Sequence, residues 1–142
     1  MMTGAVRIVV DGAPVAKGRP KIGRLANGRP IAFTPAKTRS YESFIRLLAS
    51  QAMAGRAPLE GPVAMTLTAI FSVPASWSRR RRESALSGAE RPTKKPDLSN
   101  VRKAIEDAMN GIVYIDDSQI VDTEDHKFYG PIARVVVEVS AA

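Results

Sequence analysis

Cysteine is absent from this 142-residue chain, which removes disulfides, thiolate zinc sites and cysteine nucleophiles from consideration. The absence fits a reducing, cytoplasmic setting. Histidine occurs once, as His126 in the polar run 122–127, and no Gly-x-Ser-x-Gly elbow accompanies it. A Ser-His-Asp hydrolase is therefore disfavoured, and His126 reads as an exposed strand residue. No apolar run reaches the length of a membrane span, and the Met1-Met2-Thr3 start has no signal-peptide core. Internal repeats, heptads and low-complexity tracts are missing too. Among enzymatic options, metal-activated water then leads.

What the chain does have is charge, unevenly placed. Net charge is +7, and the pI near 10.1 favours an anionic partner. Residues 1–95 hold 17 Lys/Arg against 5 Asp/Glu, whereas residues 96–142 hold 4 against 9. A basic surface attracts polyanions, but a carboxylate pocket repels phosphate unless a cation lies between them. A divalent metal held by aspartates and shared with a nucleic-acid phosphate reconciles the two. Ordinary hydrophobic (44%) and charged (25%) contents predict one globular domain over 1–142, burying about two thirds of its unfolded surface.

Local patterning predicts strands at 5–10, 63–73, 112–115, 119–128 and 132–139. Helices are expected at 36–54, with a stripe of Tyr41, Phe44, Ile45, Leu48 and Ala52, at about 77–86, and at 97–110. Asn110-Gly111 reads as the stop of the last helix. The Gly/Pro-punctuated basic segment 17–30 reads as an irregular hairpin or loop. The order of elements argues for an α+β fold, a mixed sheet with helices packed over it.

The acidic residues have plain structural readings. Asp97 or Ser99 suits a helix N-cap, and Asp116-Asp117 suits a turn. Together they say more. Asn100, Lys103 and Asp107 share the side of the 97–110 helix opposite the Leu98/Val101/Ile105 stripe, and that side starts beside Asp97. The Gly111 turn can return Asp117 toward the helix start, with Asp117 the inner ligand and Asp116 a secondary one. For DNA contact the candidates are Lys17, Arg19, Lys21 and Arg24, since a glycine-rich loop can wrap a backbone. In the run 79–82 the four arginines point all round a helix, so only some, such as Arg79 and Arg80, can meet phosphates.

Lys95-Pro96-Asp97-x-x-Asn100-x-x-Lys103, Asp107-Ala108-Met109-Asn110-Gly111 and Asp116-Asp117-Ser118-Gln119-Ile120, with Lys17-Gly-Arg-Pro and Phe33-Thr-Pro-Ala-Lys37 upstream, resemble the RusA family. The resemblance spans about 5–140. It implies a RusA-like fold and a homodimeric, Mg²⁺-dependent endodeoxyribonuclease (Mn²⁺ the alternative ion) that resolves Holliday junctions by symmetric paired cuts. Such enzymes serve DNA recombination and repair in bacterial or phage-infected cells and are common in prophages. On this resemblance Asp97, Asp117 and Lys103 are catalytic. Asp97, Asp117 and Asp116 hold metal, supported by Ser99 and Asn100. Ser99 departs from the family pattern, which places a third aspartate there. The competing readings are a DNA-binding protein of the same fold that no longer cuts, and a nuclease for flaps, forks or RNA.

Overall fold

The computed structural model describes residues 5–18, 21–33 and 36–142. In chain order the elements are β1 (Val6–Asp11), β2 (Lys21–Arg24), β3 (Pro30–Phe33), α1 (Ala36–Met53), β4 (Val63–Ser72), α2 (Arg79–Leu86), α3 (Leu98–Met109), a 3₁₀ turn (Asp117–Gln119), β5 (Ile120–Gly130) and β6 (Arg134–Ala141). Four strands form a sheet in the order β1-β6-β4-β5. β6 runs antiparallel to both β1 and β4, whereas β4 and β5 are parallel. A parallel pair needs a long crossover. Here it carries α2 and α3, so the sheet's connectivity itself delivers α3 to one face.

That face is built by alternation. Val63, Met65, Leu67, Ala69 and Phe71 of β4 are buried. So are Val6, Ile8 and Val10 of β1, and Val135, Val137 and Val139 of β6. α1 covers them with Ile45, Ala49 and Met53, and α3 with Val101, Ile105, Ala108 and Met109. Each fully buried aliphatic side chain contributes roughly 1.5–3 kcal/mol of transfer free energy. The α1 stripe differs in one member: Phe44 is 43% exposed, while the four-residue series Ile45, Ala49 and Met53 goes inward.

The basic 17–30 segment includes a true hairpin, with β2 and β3 antiparallel from Lys21↔Phe33 to Arg24↔Pro30. Gly28 turns it at φ 82°, a region that favours glycine. Arg19 lies outside the described residues.

The strand expected at 112–115 does not form. Val113 and Tyr114 are fully buried, but they sit in a tight turn in which Gly111 N–H donates to Tyr114 O (2.8 Å). Tyr114 makes only isolated bridges, to Leu59 and Asn110. The apolar run is a plug beneath α3, and no strand extends beside it. Among the described residues no helix is long and apolar enough to cross a membrane.

Candidate active site and nucleic-acid interface

Asp97 occupies the N-cap position of α3 in extended conformation, yet its carboxylate makes no capping hydrogen bond. Its backbone carbonyl accepts from Asn100 and Val101 N–H (3.1 and 3.0 Å). The carboxylate is thus exposed at a helix N-terminus, where negative charge is favoured. It opens into a cleft of about 670 Å³ that Lys17, Lys37, Lys95 and Asn100 also line. Lys37 and Lys95 beside one free carboxylate suit a phosphate bridged by a cation.

One wall of the cleft is pinned by backbone. Lys17 N–H donates to Asn100 O, and Gly18 N–H to the Thr38 hydroxyl, both at 3.0 Å. The Lys17 ammonium reaches Glu42 (2.5 Å) and Asp107 (3.2 Å). Burial works to lower the Lys17 pKa, but hydrogen bonds to Glu42 and Asp107 outweigh it and leave the value raised. This lysine is occupied by protein carboxylates, unlike Lys21 and Arg24, which stand exposed on the hairpin.

Asp107 also holds Lys103 at 3.2 Å, and the same ammonium lies 3.9 Å from Asp117. The Lys103 pKa is raised, mainly by the Asp107 hydrogen bond. A continuous chain results: Glu42, Lys17, Asp107, Lys103, Asp117. On the next strip of α3, Arg102 pairs with Glu106 (3.2 Å) and with Asp125 of β5. Glu106 is pushed above the usual carboxylate range by burial, against the pull of Arg102.

Asp117 owes its position to Gln119. The Gln119 amide donates to Leu59 O and Gly61 O (2.8 and 2.9 Å), and its oxygen accepts from Ile115 and Asp116 N–H (2.7 and 3.0 Å). Asp116 caps the 3₁₀ turn by accepting from Ser118 N–H (3.0 Å), and hydrogen bonding from the Ser118 side chain and then its backbone holds the carboxyl below its ordinary value. The two neighbouring aspartates are therefore unequal. Asp117 faces Lys103, and Asp116 is an exposed turn residue.

Sequence-expected residues are brought together in part. Asp97, Asn100 and Lys17 meet in the cleft. Lys103, six residues after Asp97 in the chain, meets Asp117. Among the described residues no three His, Asp or Glu side chains are clustered to hold a metal ion, and Ser99 supplies no charge. The oxygen donors fit a hard divalent cation held by one or two carboxylates and completed by substrate phosphate, as Mg²⁺ prefers. They do not make a closed protein cage.

Glu42, Glu106 and Gln119 were not assigned roles from sequence. Glu106 carried a local signal in its four-residue spacing from Arg102, and Gln119 in the Asp116-to-Ile120 motif. Arg79 pairs loosely with Glu83 (3.5 Å), and Arg80 is exposed. Arg81 stacks on Trp77 at 3.5 Å and pairs with Glu90 (3.0 Å), so it serves packing.

The chain is 40% identical over 141 residues to the "Uncharacterized protein YqaN" of Bacillus subtilis (strain 168), covering 96% of this chain and 98% of the relative. The family model "Endodeoxyribonuclease RusA" matches residues 11–140. With that match over nearly its whole length, the chain belongs to the RusA family of endodeoxyribonucleases.

Proposed function

We propose that this protein is a divalent-metal-dependent nuclease that resolves four-way DNA junctions by paired cuts, acting as a homodimer in DNA recombination and repair. The observation that carries the reading is the free Asp97 carboxylate in a lysine-lined cleft, linked by Lys17, Asp107 and Lys103 to Asp117. Asp97 and Asp117, with Asp116 beside the latter, would hold the cation, with Mg²⁺ the expected ion and Mn²⁺ the alternative. Such a cation supplies Lewis-acid charge to the scissile phosphate. Lys103 stabilises negative charge developing on that phosphate. Asn100 and the Ser99 hydroxyl offer hydrogen bonds at its edge. Lys21, Arg24, Arg79 and Arg80 meet the DNA backbone, and the DNA places the enzyme in the cytoplasm of a bacterial or phage-infected cell. A twofold dimer would present two such sites to opposed strands.

The test is cleavage of a synthetic four-way junction with and without Mg²⁺. Asp97→Asn and Asp117→Asn are each expected to abolish cutting while leaving junction binding in place. Unchanged cleavage by either variant removes that residue from the mechanism. A second reading, a junction binder that no longer cuts, is favoured by one observation, the serine at position 99 where the family pattern has an aspartate. Ser99→Asp separates the two. A large gain in rate would locate a deficit there, and cutting by the unaltered protein would retire the second reading.

A further inference from the structure

Between Asp11 and Glu42 the chain carries seven Lys/Arg and no acidic residue. In the middle of that stretch stands the β2–β3 hairpin. Its strands pack on each other and on no other element to a comparable degree. A lone two-stranded hairpin is marginally stable in water. This one nevertheless leaves Ile22 73% exposed, Leu25 45% and Ile31 43%. Ile22 and Arg24 lie on one face of the ribbon, Lys21 and Ile31 on the other, and Leu25 opens the turn.

Both roots are tied to the cleft. Gly18, three residues before Lys21, and Lys37, four after Phe33, line the same cavity as Asp97. Three residues of extended chain span at most about 10 Å, so the hairpin rises from the rim of that cavity. Four-residue strands extend its tip by a further 13 Å or so.

We propose that this hairpin is a wedge, entering the branch point of the DNA and laying Ile22, Leu25 and Ile31 against base faces left unstacked there, while Lys21, Arg24 and Arg29 hold the flanking phosphates. The charge complementarity favours DNA over a protein partner. The side chains favour a branch over a duplex groove. Groove readers need donors and acceptors matched to base edges, whereas aliphatic side chains act as wedges between separated base steps. The inference rests on the branched-DNA reading and adds to it the element that senses the branch.

The experiment uses the full chain without divalent metal, so that binding is read apart from cleavage. Affinities for a four-way junction and for a linear duplex of equal length are compared at one salt concentration, with 2-aminopurine at the branch reporting on stacking. Combined Ile22→Ser, Leu25→Ser and Ile31→Ser substitution is expected to weaken junction binding at least about tenfold, because the apolar contacts that offset unstacking at the branch are lost. It is also expected to leave duplex binding within about twofold and to remove the fluorescence change at the branch. An unchanged thermal midpoint would confirm the fold, because the hairpin stands off the core. Paired Lys21→Gln and Arg24→Gln changes should weaken both substrates together. Equal loss on junction and duplex after the apolar change would overturn the wedge in favour of a groove-bound ribbon. No loss on either would also overturn it. A fall in sedimenting mass would assign the hairpin to a contact between copies and overturn it as well. If the unaltered protein shows no junction preference, the branched-DNA reading fails and the wedge with it. A preference that survives the triple change sinks the wedge alone.

Discussion

Asp107 stands between two ammonium groups, Lys17 and Lys103, each 3.2 Å away. Neutralising it should release Lys103 from its place beside Asp117. Small misplacements of a catalytic group cost up to about 100-fold. Asp107→Asn is therefore expected to lower kcat about 10- to 100-fold with KM little changed, as steady-state cleavage of a junction would show. The raised pKa of Lys17 also predicts a pH dependence. Its pairing stabilises the folded protein fully below the ordinary lysine value of 10.5 and is lost as pH rises through the raised value. Glu42→Gln should accordingly shift alkaline unfolding to lower pH, followed by circular dichroism. Part of this network was legible. Lys103–Asp107 and Arg102–Glu106 are helix pairs at i, i+4, readable from spacing. Lys17–Glu42 joins residues 25 apart and depends on how the 12–18 segment folds onto α1 and α3, which no local pattern encodes.

At the scale of elements, α3 was the easiest to read, because its apolar residues recur on one face and Asn110-Gly111 ends it. The turn after it was the hardest. A short β-branched and aromatic run suits a strand and a buried plug equally, and only the presence of a neighbouring strand decides between them. Here Leu59 N–H donates to Val113 O (2.8 Å), and the Tyr114 hydroxyl donates to Glu106 O (2.8 Å). Gln119 then latches the loop to Leu59 and Gly61, partners some 60 residues away and thus invisible to spacing. Gln119→Leu should cost about 1–3 kcal/mol in denaturant unfolding, because it strands several backbone groups. It should also slow cleavage more than its stability loss explains, because Asp117 loses its fixed position.

For the whole molecule, the mixed sheet supplies the frame and the charge partition supplies the partner. Leu67 is fully buried at the centre of β4, between Val137 of β6 and Asp125 of β5. Leu67→Ala is expected to cost about 2–5 kcal/mol in denaturant titrations. DNA affinity should fall steeply with salt, with a log–log slope of about −0.9 for each phosphate neutralised. A slope near zero would discredit the basic surface as the DNA footprint. The α+β architecture followed from alternation and amphipathic periodicity, and the sheet order did not. Whether β5 lies beside β4 or β6 depends on a crossover whose path local periodicity leaves open.

β5 closes one side of the sheet, and among the described residues no strand pairs with its outer rail of amides and carbonyls. Asp122 and Glu124, both exposed, bring like charge to that margin, which discourages a stray strand from another molecule from zipping onto it. Replacing Asp122 and Glu124 with their amides strips away this guard, and turbidity in that variant but not in the parent would mark the rail as a seed for fibres.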